Sequence, residues 1–97
     1  IFRRAYGMRV EGDSMLPSLR SGDRVLIDPN ASVQPGDVVL TRHPYKSSGR
    51  ILKRLTSIEP DGRIYLSGDN PEDSTDSRTF GTISKLDVLG KVVARFK

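Results

Sequence analysis

Apolar residues in this chain come in short clusters broken by polar ones, and no stretch sustains a 3.6-residue apolar period. Tyr6, Met8 and Val10 fall at every second position, a strand pattern that Gly12-Asp13 breaks. Pro17 then fixes the backbone, and Ser21-Gly22-Asp23 makes a turn. Arg24-Val-Leu-Ile-Asp28 has the form of a buried strand, and Pro29 to Ser32 that of a loop. Val33-Gln-Pro-Gly-Asp37 is a second turn of the same style. Each Gly-Asp opens directly into an apolar strand, here Val38-Val-Leu40. A polar hairpin loop runs from His43 to Arg50, residues 51–58 form the next strand, and Pro60-Asp-Gly62 turns it back into Arg63-Ile-Tyr-Leu-Ser67. Gly68 to Arg78 is too polar for a strand and lacks helical periodicity, so it reads as a long loop. Such loops in small domains usually carry function or dense hydrogen bonding. Ile83 to Leu89 allows one helical turn, and Gly90 to Phe96 is the last strand. The pattern predicts a mostly β domain, a small barrel or meander.

Composition narrows the function classes. Ninety-seven residues make one domain, 1–97, with one core. An apolar fraction of 35% against 29% charged residues marks it as globular. The absence of cysteine removes disulfides and thiolate metal sites and leaves the redox compartment open. His43 is the only histidine, which excludes a multi-histidine metal site. The net charge of +4 is dispersed, with no basic run longer than Arg3-Arg4 or Lys53-Arg54. It suits plain solubility or an anionic membrane surface. Few aromatics and no recognition motif argue against nucleic acid. No apolar run approaches the ~18–20 residues that cross a bilayer, and no signal peptide is visible. The chain starts at Ile1 without a methionine, so an upstream segment, including a membrane anchor, is compatible with it. Nothing in the sequence specifies an oligomeric state.

Two stretches carry candidate chemistry: Gly12-Asp-Ser14-Met-Leu-Pro17 and Ile51-Leu-Lys-Arg-Leu55. A serine hydroxyl is a poor nucleophile until a base takes its proton. Lysine can be that base only when neutral. Its ordinary pKa of about 10.4 requires that the site desolvate it. In a strand over 51–55, Ile51, Lys53 and Leu55 share one face and Leu52 and Arg54 the other. Turning the first face inward buries Lys53 between two aliphatics and leaves Arg54 in solvent. The alternative is a lysine at a sheet edge with its head in water. Ser14 is equally open between a turn role and a chemical one. Gly12 lets the backbone take positive φ or approach closely, which would suit an oxyanion site of backbone N–H groups.

Gly12-Asp-Ser-Met-Leu-Pro-Ser-Leu with Gly22-Asp-Arg-Val-Leu resembles the nucleophile box of the type I signal peptidase family. Lys53-Arg54 after an apolar pair resembles its general-base box. Gly68-Asp-Asn, with Ser74-Thr-Asp-Ser-Arg78 and Phe80-Gly81, resembles its third box, and Gly90-Lys-Val its closing strand. The boxes occur in the family's order over residues 8–96. The resemblance implies that Ser14 is the nucleophile, Lys53 the general base and Ser74 the residue that orients the lysine. It further implies that Asp76 and Arg78 form a supporting ion pair and that Asp69 and Asn70 brace the loop. Gly12 departs from members with a serine at that position, which leaves the oxyanion donor to backbone N–H groups or to none. Asp13 is less usual there than a small residue. Val10, Met15 and Leu52 are candidates for substrate contact.

Only Leu55 to Leu66 separates the second box from Ser67-Gly68-Asp69-Asn70, and there is no tryptophan. This compactness resembles the family branch known as nickel-type superoxide dismutase maturation proteases. It implies a cytoplasmic Ser-Lys endopeptidase without cofactor or metal that removes a propeptide from a precursor protein. In the alternative, the chain is the catalytic core of a membrane-anchored signal peptidase that cleaves after small-x-small residues. Self-cleaving repressors share such a dyad, but they need a cleavage segment, commonly Ala-Gly, and neither Ala-Gly nor Cys-Gly occurs here. A non-catalytic β-module that binds a peptide or an anionic surface is the reading from a different class.

Overall fold

The computed structural model describes residues 3–96, so Ile1, Phe2 and Lys97 lie outside the described residues. Six strands follow in the chain: β1 (Tyr6–Arg9), β2 (Arg24–Asp28), β3 (Val38–Arg42), β4 (Arg50–Ile58), β5 (Ile64–Ser67) and β6 (Val88–Phe96). They form one sheet in the order β1-β2-β6-β3-β4-β5, antiparallel throughout. The small, mostly β, barrel-like domain expected from the sequence is borne out in this single six-stranded sheet. β3, β4 and β5 make the expected meander. β6 departs from it by returning between β2 and β3.

The two Gly-Asp turns share one chemistry. Gly22 and Gly36 take φ of 96° and 100°, a left-handed backbone that other residues adopt only with strain. Beside each, an aspartate accepts from the backbone three residues back: Asp23 Oδ2 from Arg20 N at 3.0 Å and Asp37 Oδ2 from Gln34 N at 2.9 Å. The strand that follows is thereby launched in a fixed direction.

Alternation along β3 places a core on each side of the sheet. Leu40 packs with Val10, Met15, Leu19, Val25 and Ile27, whereas Val39 packs with Leu55, Ile64, Leu66 and Ile83. Burying each such side chain is worth ~1.5–3 kcal/mol. β6 feeds both cores, with Leu89 and Val92 on the first and Val88 on the second. It fits against β2 because residue 90 is glycine: a Cβ there would lie 2.5 Å from Ile27 Cγ2. Register shifts mark bulges with an extra residue in β6 at Val93 and at Leu89 and in β4 at Thr56, which bend strands and raise local twist.

The segment from 68 to 78 is not wholly the loop its composition suggests. It contains a 3₁₀ turn at Pro71–Asp73 and the start of a one-turn helix, α1 (Ser77–Phe80). Four residues are too few to show a period. α1 is set instead by Asp76, whose side chain caps it by accepting from Arg78 N. The helical turn allowed within 83–89 is a 3₁₀ turn at Lys85–Asp87, capped by Ser84.

Candidate active site

Lys53 lies in the middle of β4, opposite Val39 of β3. Its face is the inward one: Lys53 is only 4% exposed and Leu55 fully buried. Burial pushes the Lys53 ammonium below its ordinary pKa. Asp76 opposes that shift and Arg78 adds to it. A buried amine must have a hydrogen-bond partner. Lys53 Nζ donates to Ser74 Oγ at 3.0 Å.

Ser74 is itself held. Its hydroxyl donates to Asp76 Oδ2 at 3.0 Å, which fixes its oxygen as an acceptor toward the lysine. Asp76 also accepts from Gly68 N at 2.8 Å, from Arg78 N and Nε at 3.1 and 2.9 Å, and from Arg78 Nη2 at 2.7 Å. Burial opposes ionisation of Asp76, but these bonds outweigh it and hold the carboxyl well below the usual carboxylate range. The chain Lys53–Ser74–Asp76–Arg78 is therefore one network running outward from a desolvated amine. Ser77 ties it to the sheet by accepting from Leu66 N at 2.8 Å.

Ser14 sits in a compact turn segment between β1 and β2. Leu16 N donates to Asp13 O at 3.2 Å and Leu19 N to Met15 O at 2.9 Å, and the peptide between Leu16 and Pro17 is cis. Met15 and Leu19 anchor this segment in the first core. Gly12 takes a φ of 80° at its entrance. The loop after β5 docks directly onto it: Asn70 N donates to Ser14 O at 2.9 Å and Asn70 Nδ2 to Asp13 O at 3.0 Å. Ser14 and Lys53 line a single open cleft of about 500 Å³, shared with Met8, Arg9, Leu52 and Ile51.

A family model described as Peptidase S24-like matches residues 2–93. The chain belongs to the Peptidase S24-like family. Among curated proteins it is similar to mitochondrial inner membrane protease subunit 1 of Xenopus tropicalis, at 30% identity over 87% of this chain and 64% of the relative. Subunit 2 of the same-named protease from Danio rerio is 36% identical over 84% of this chain and 58% of the relative. A probable signal peptidase I-1 of a Synechocystis species is 22% identical over 90% of this chain and 68% of the relative. The chain spans less than two thirds of the two mitochondrial relatives' length.

Within this S24-like domain the residues singled out from sequence converge. Lys53, Ser74, Asp76 and Arg78 are joined by hydrogen bonds, Asn70 holds the Ser14 segment, and Ser14 and Lys53 share the cleft. Val10, Met15 and Leu52 line it too. Val10 and Met15 are nearly fully buried and form its floor, whereas Leu52 is half-buried. Asp13 contributes its carbonyl and leaves its residue exposed.

One expectation is corrected. Arg54 does not stand in solvent: its guanidinium forks onto Asp69, with Nη2 to Oδ2 at 2.6 Å and Nε to Oδ1 at 3.1 Å, and Nη1 donates to Gly36 O at 2.7 Å. The hydrogen bond from Arg54 lowers the Asp69 pKa, with burial opposing it and Ser18 adding to it. Ser18 donates to Asp69 Oδ2 at 2.6 Å. Arg54 and Ser18 thus clamp the loop after β5 to both β4 and the Ser14 segment. Strand alternation put Arg54 on the face opposite Lys53, which is correct, but it shows neither that this face also meets a core, through Leu52, nor a partner for Arg54 there. Gly68 was visible only as part of a motif. A Cβ there would come within 2.1 Å of Ser74 Oγ and 2.7 Å of Ser14 O, so only glycine lets the two segments meet.

Proposed function

We propose that this domain is a serine peptidase in which Ser14 is the nucleophile and Lys53 the general base, and that it removes an N-terminal leader from a precursor protein. The buried Lys53, hydrogen-bonded to an acceptor-locked Ser74 on the cleft that Ser14 lines, carries the reading. A neutral amine has one lone pair and two N–H bonds. Because Ser74 gives its proton to Asp76, the lysine spends an N–H on Ser74 and keeps its lone pair for the Ser14 hydroxyl. Lys53 then takes the Ser14 proton as Oγ attacks the scissile carbonyl. The protonated lysine returns that proton to the leaving amine, and a water that Lys53 deprotonates releases the acyl group. Among the described residues, the Ser14 N–H donates to no protein acceptor, which suits an oxyanion donor supplied by the backbone.

The relatives' names favour leader removal at a membrane over maturation of a nickel superoxide dismutase, which rests on the short Leu55 to Leu66 separation and the lack of tryptophan. No described helix is long and apolar enough to cross a membrane. Intact-mass spectrometry of leader-bearing precursors incubated with the domain tests the proposal, with Ser14→Ala as the control. One new amino terminus, absent with Ser14→Ala, is the expected result. A cut made equally by Ser14→Ala would overturn the dyad, and cleavage confined to a nickel superoxide dismutase precursor would restore the narrower substrate.

A further inference from the structure

We infer that Arg9 and Arg24, with Arg50 across the cleft, bind an acidic side chain of the polypeptide substrate near the bond that is cut. The inference rests on the peptidase reading of the cleft and adds what that site selects.

Arg9 and Arg24 are directly opposite each other in the β1–β2 ladder, and Arg24 is directly opposite Phe96 in the β2–β6 ladder. Two like charges facing each other across a strand pair weaken the sheet. Both are exposed, and among the described residues neither side chain has a hydrogen bond or ion pair. Arg42, Arg54, Arg63, Arg78 and Arg95 each hold a carboxylate, hydroxyl or carbonyl, whereas the side chains of Arg3, Arg4 and Arg20 are also without a partner among the described residues. Arg50, at the start of β4, is likewise exposed and without a partner among the described residues.

What sets Arg9 and Arg50 apart from Arg3, Arg4 and Arg20 is their place. Arg9 and Arg50 line the cleft that holds Ser14 and Lys53, where Glu11 is the only carboxylate. Arg9 also borders a shallower depression that it shares with Gly7, Arg24 and Phe96. A bound peptide that reaches Ser14 must therefore pass Arg9 and Arg50, with Arg24 directly opposite Arg9 on β2. A substrate carboxylate there would relieve the Arg9–Arg24 repulsion and could accept from both guanidinium groups. A cationic surface for lipid headgroups would not need to centre on the cleft, which is why the substrate is the occupant favoured.

The probes are a peptide spanning the leader junction of a precursor used in the leader assay and variants of it with Glu, Gln or Lys placed in turn at each position around the junction. We expect kcat/KM to favour Glu over Gln by about tenfold at one position, mostly through KM, as one charge-assisted contact provides. The preference should fade as salt rises from low to molar, a test made on the unaltered protein. It should fall to about one in Arg9→Gln/Arg24→Gln, and Arg24→Glu should shift preference toward Lys. Calorimetry on Ser14→Ala reads the same preference as binding, so the inference is decided even where no peptide is cut and the peptidase reading fails. Ser14-dependent cleavage without discrimination between Glu and Gln would overturn it. So would a preference that survives the double variant. Loss of binding to phosphatidylglycerol vesicles in that variant, with the peptide preference unchanged, would assign the arginines to a membrane instead.

Discussion

Three influences set the protonation of Lys53: burial, which favours the neutral amine, the charge of Asp76, which disfavours it, and the charge of Arg78, which favours it again. The two members of the ion pair thus act in opposite senses at the lysine, and burial is the largest influence. If neutral Lys53 is the base, activity rises with pH through its folded-state pKa, which lies below the ordinary value. Arg78→Gln removes one lowering influence and leaves Asp76 less compensated, so the kcat/KM profile should move to higher pH. An unmoved profile would mean that Lys53 is not the titrating group. The same burial has a cost in stability. Between the folded-state pKa and about 10.4 the unfolded chain binds more protons, so stability rises with pH across that window. Lys53→Met keeps the length and removes the charge. It should abolish at least about 100-fold of the activity, yet resist urea better than the parent at neutral pH, with the difference closing toward pH 10. Equal stability at neutral pH would show that the lysine is hydrated.

The strands and the turns before them could be read from the sequence because their signals are local. Arg24–Asp28 matches β2, and the two Gly-Asp turns repeat one hydrogen-bonding pattern. Strand alternation put Ile51, Lys53 and Leu55 on one face and left open which face turns inward, a choice that the structure makes by burying Lys53. What alternation could not supply was any contact between elements: the partner of Arg54, the docking of Asn70 on Ser14, and the space at Gly68. Those contacts join the loop after β5 to the segment before β2, about fifty residues apart, and the site depends on their fit. Gly68→Ala tests that fit. Its methyl group would press on the Ser14 carbonyl, which is backbone, and on a Ser74 side chain already fixed by two hydrogen bonds. Overpacking of this kind costs about 1–3 kcal/mol. Because the displaced atoms belong to the site, the variant should lose at least about tenfold in kcat/KM while still unfolding cooperatively. Full activity in a folded Gly68→Ala would mean that the two segments are not held in register by this contact.

On the scale of the whole molecule, the strand that local pattern placed worst is the one that unites the sheet. β6 pairs with β2 through five register positions and with β3 through three, and it supplies side chains to both cores. Without it, β1-β2 with the Ser14 segment would share no ladder with β3-β4-β5, which carries Lys53. Each fragment would also expose a strand edge and one side of its core, and small sheets of two or three strands are marginal in water. A chain ending at Asp87 should therefore not fold: its amide NMR spectrum should collapse to unfolded dispersion, and cleavage should vanish although every candidate catalytic residue remains. Adding a peptide of residues 88–96 should restore dispersion and activity together, since it replaces the missing ladder on both sides. A truncated chain that melts cooperatively by itself would show that the contacts between the Ser14 segment and the loop after β5 suffice to join the halves. In that case Asn70 and the Arg54–Asp69 clamp, rather than β6, would be what holds the two sides of the site together.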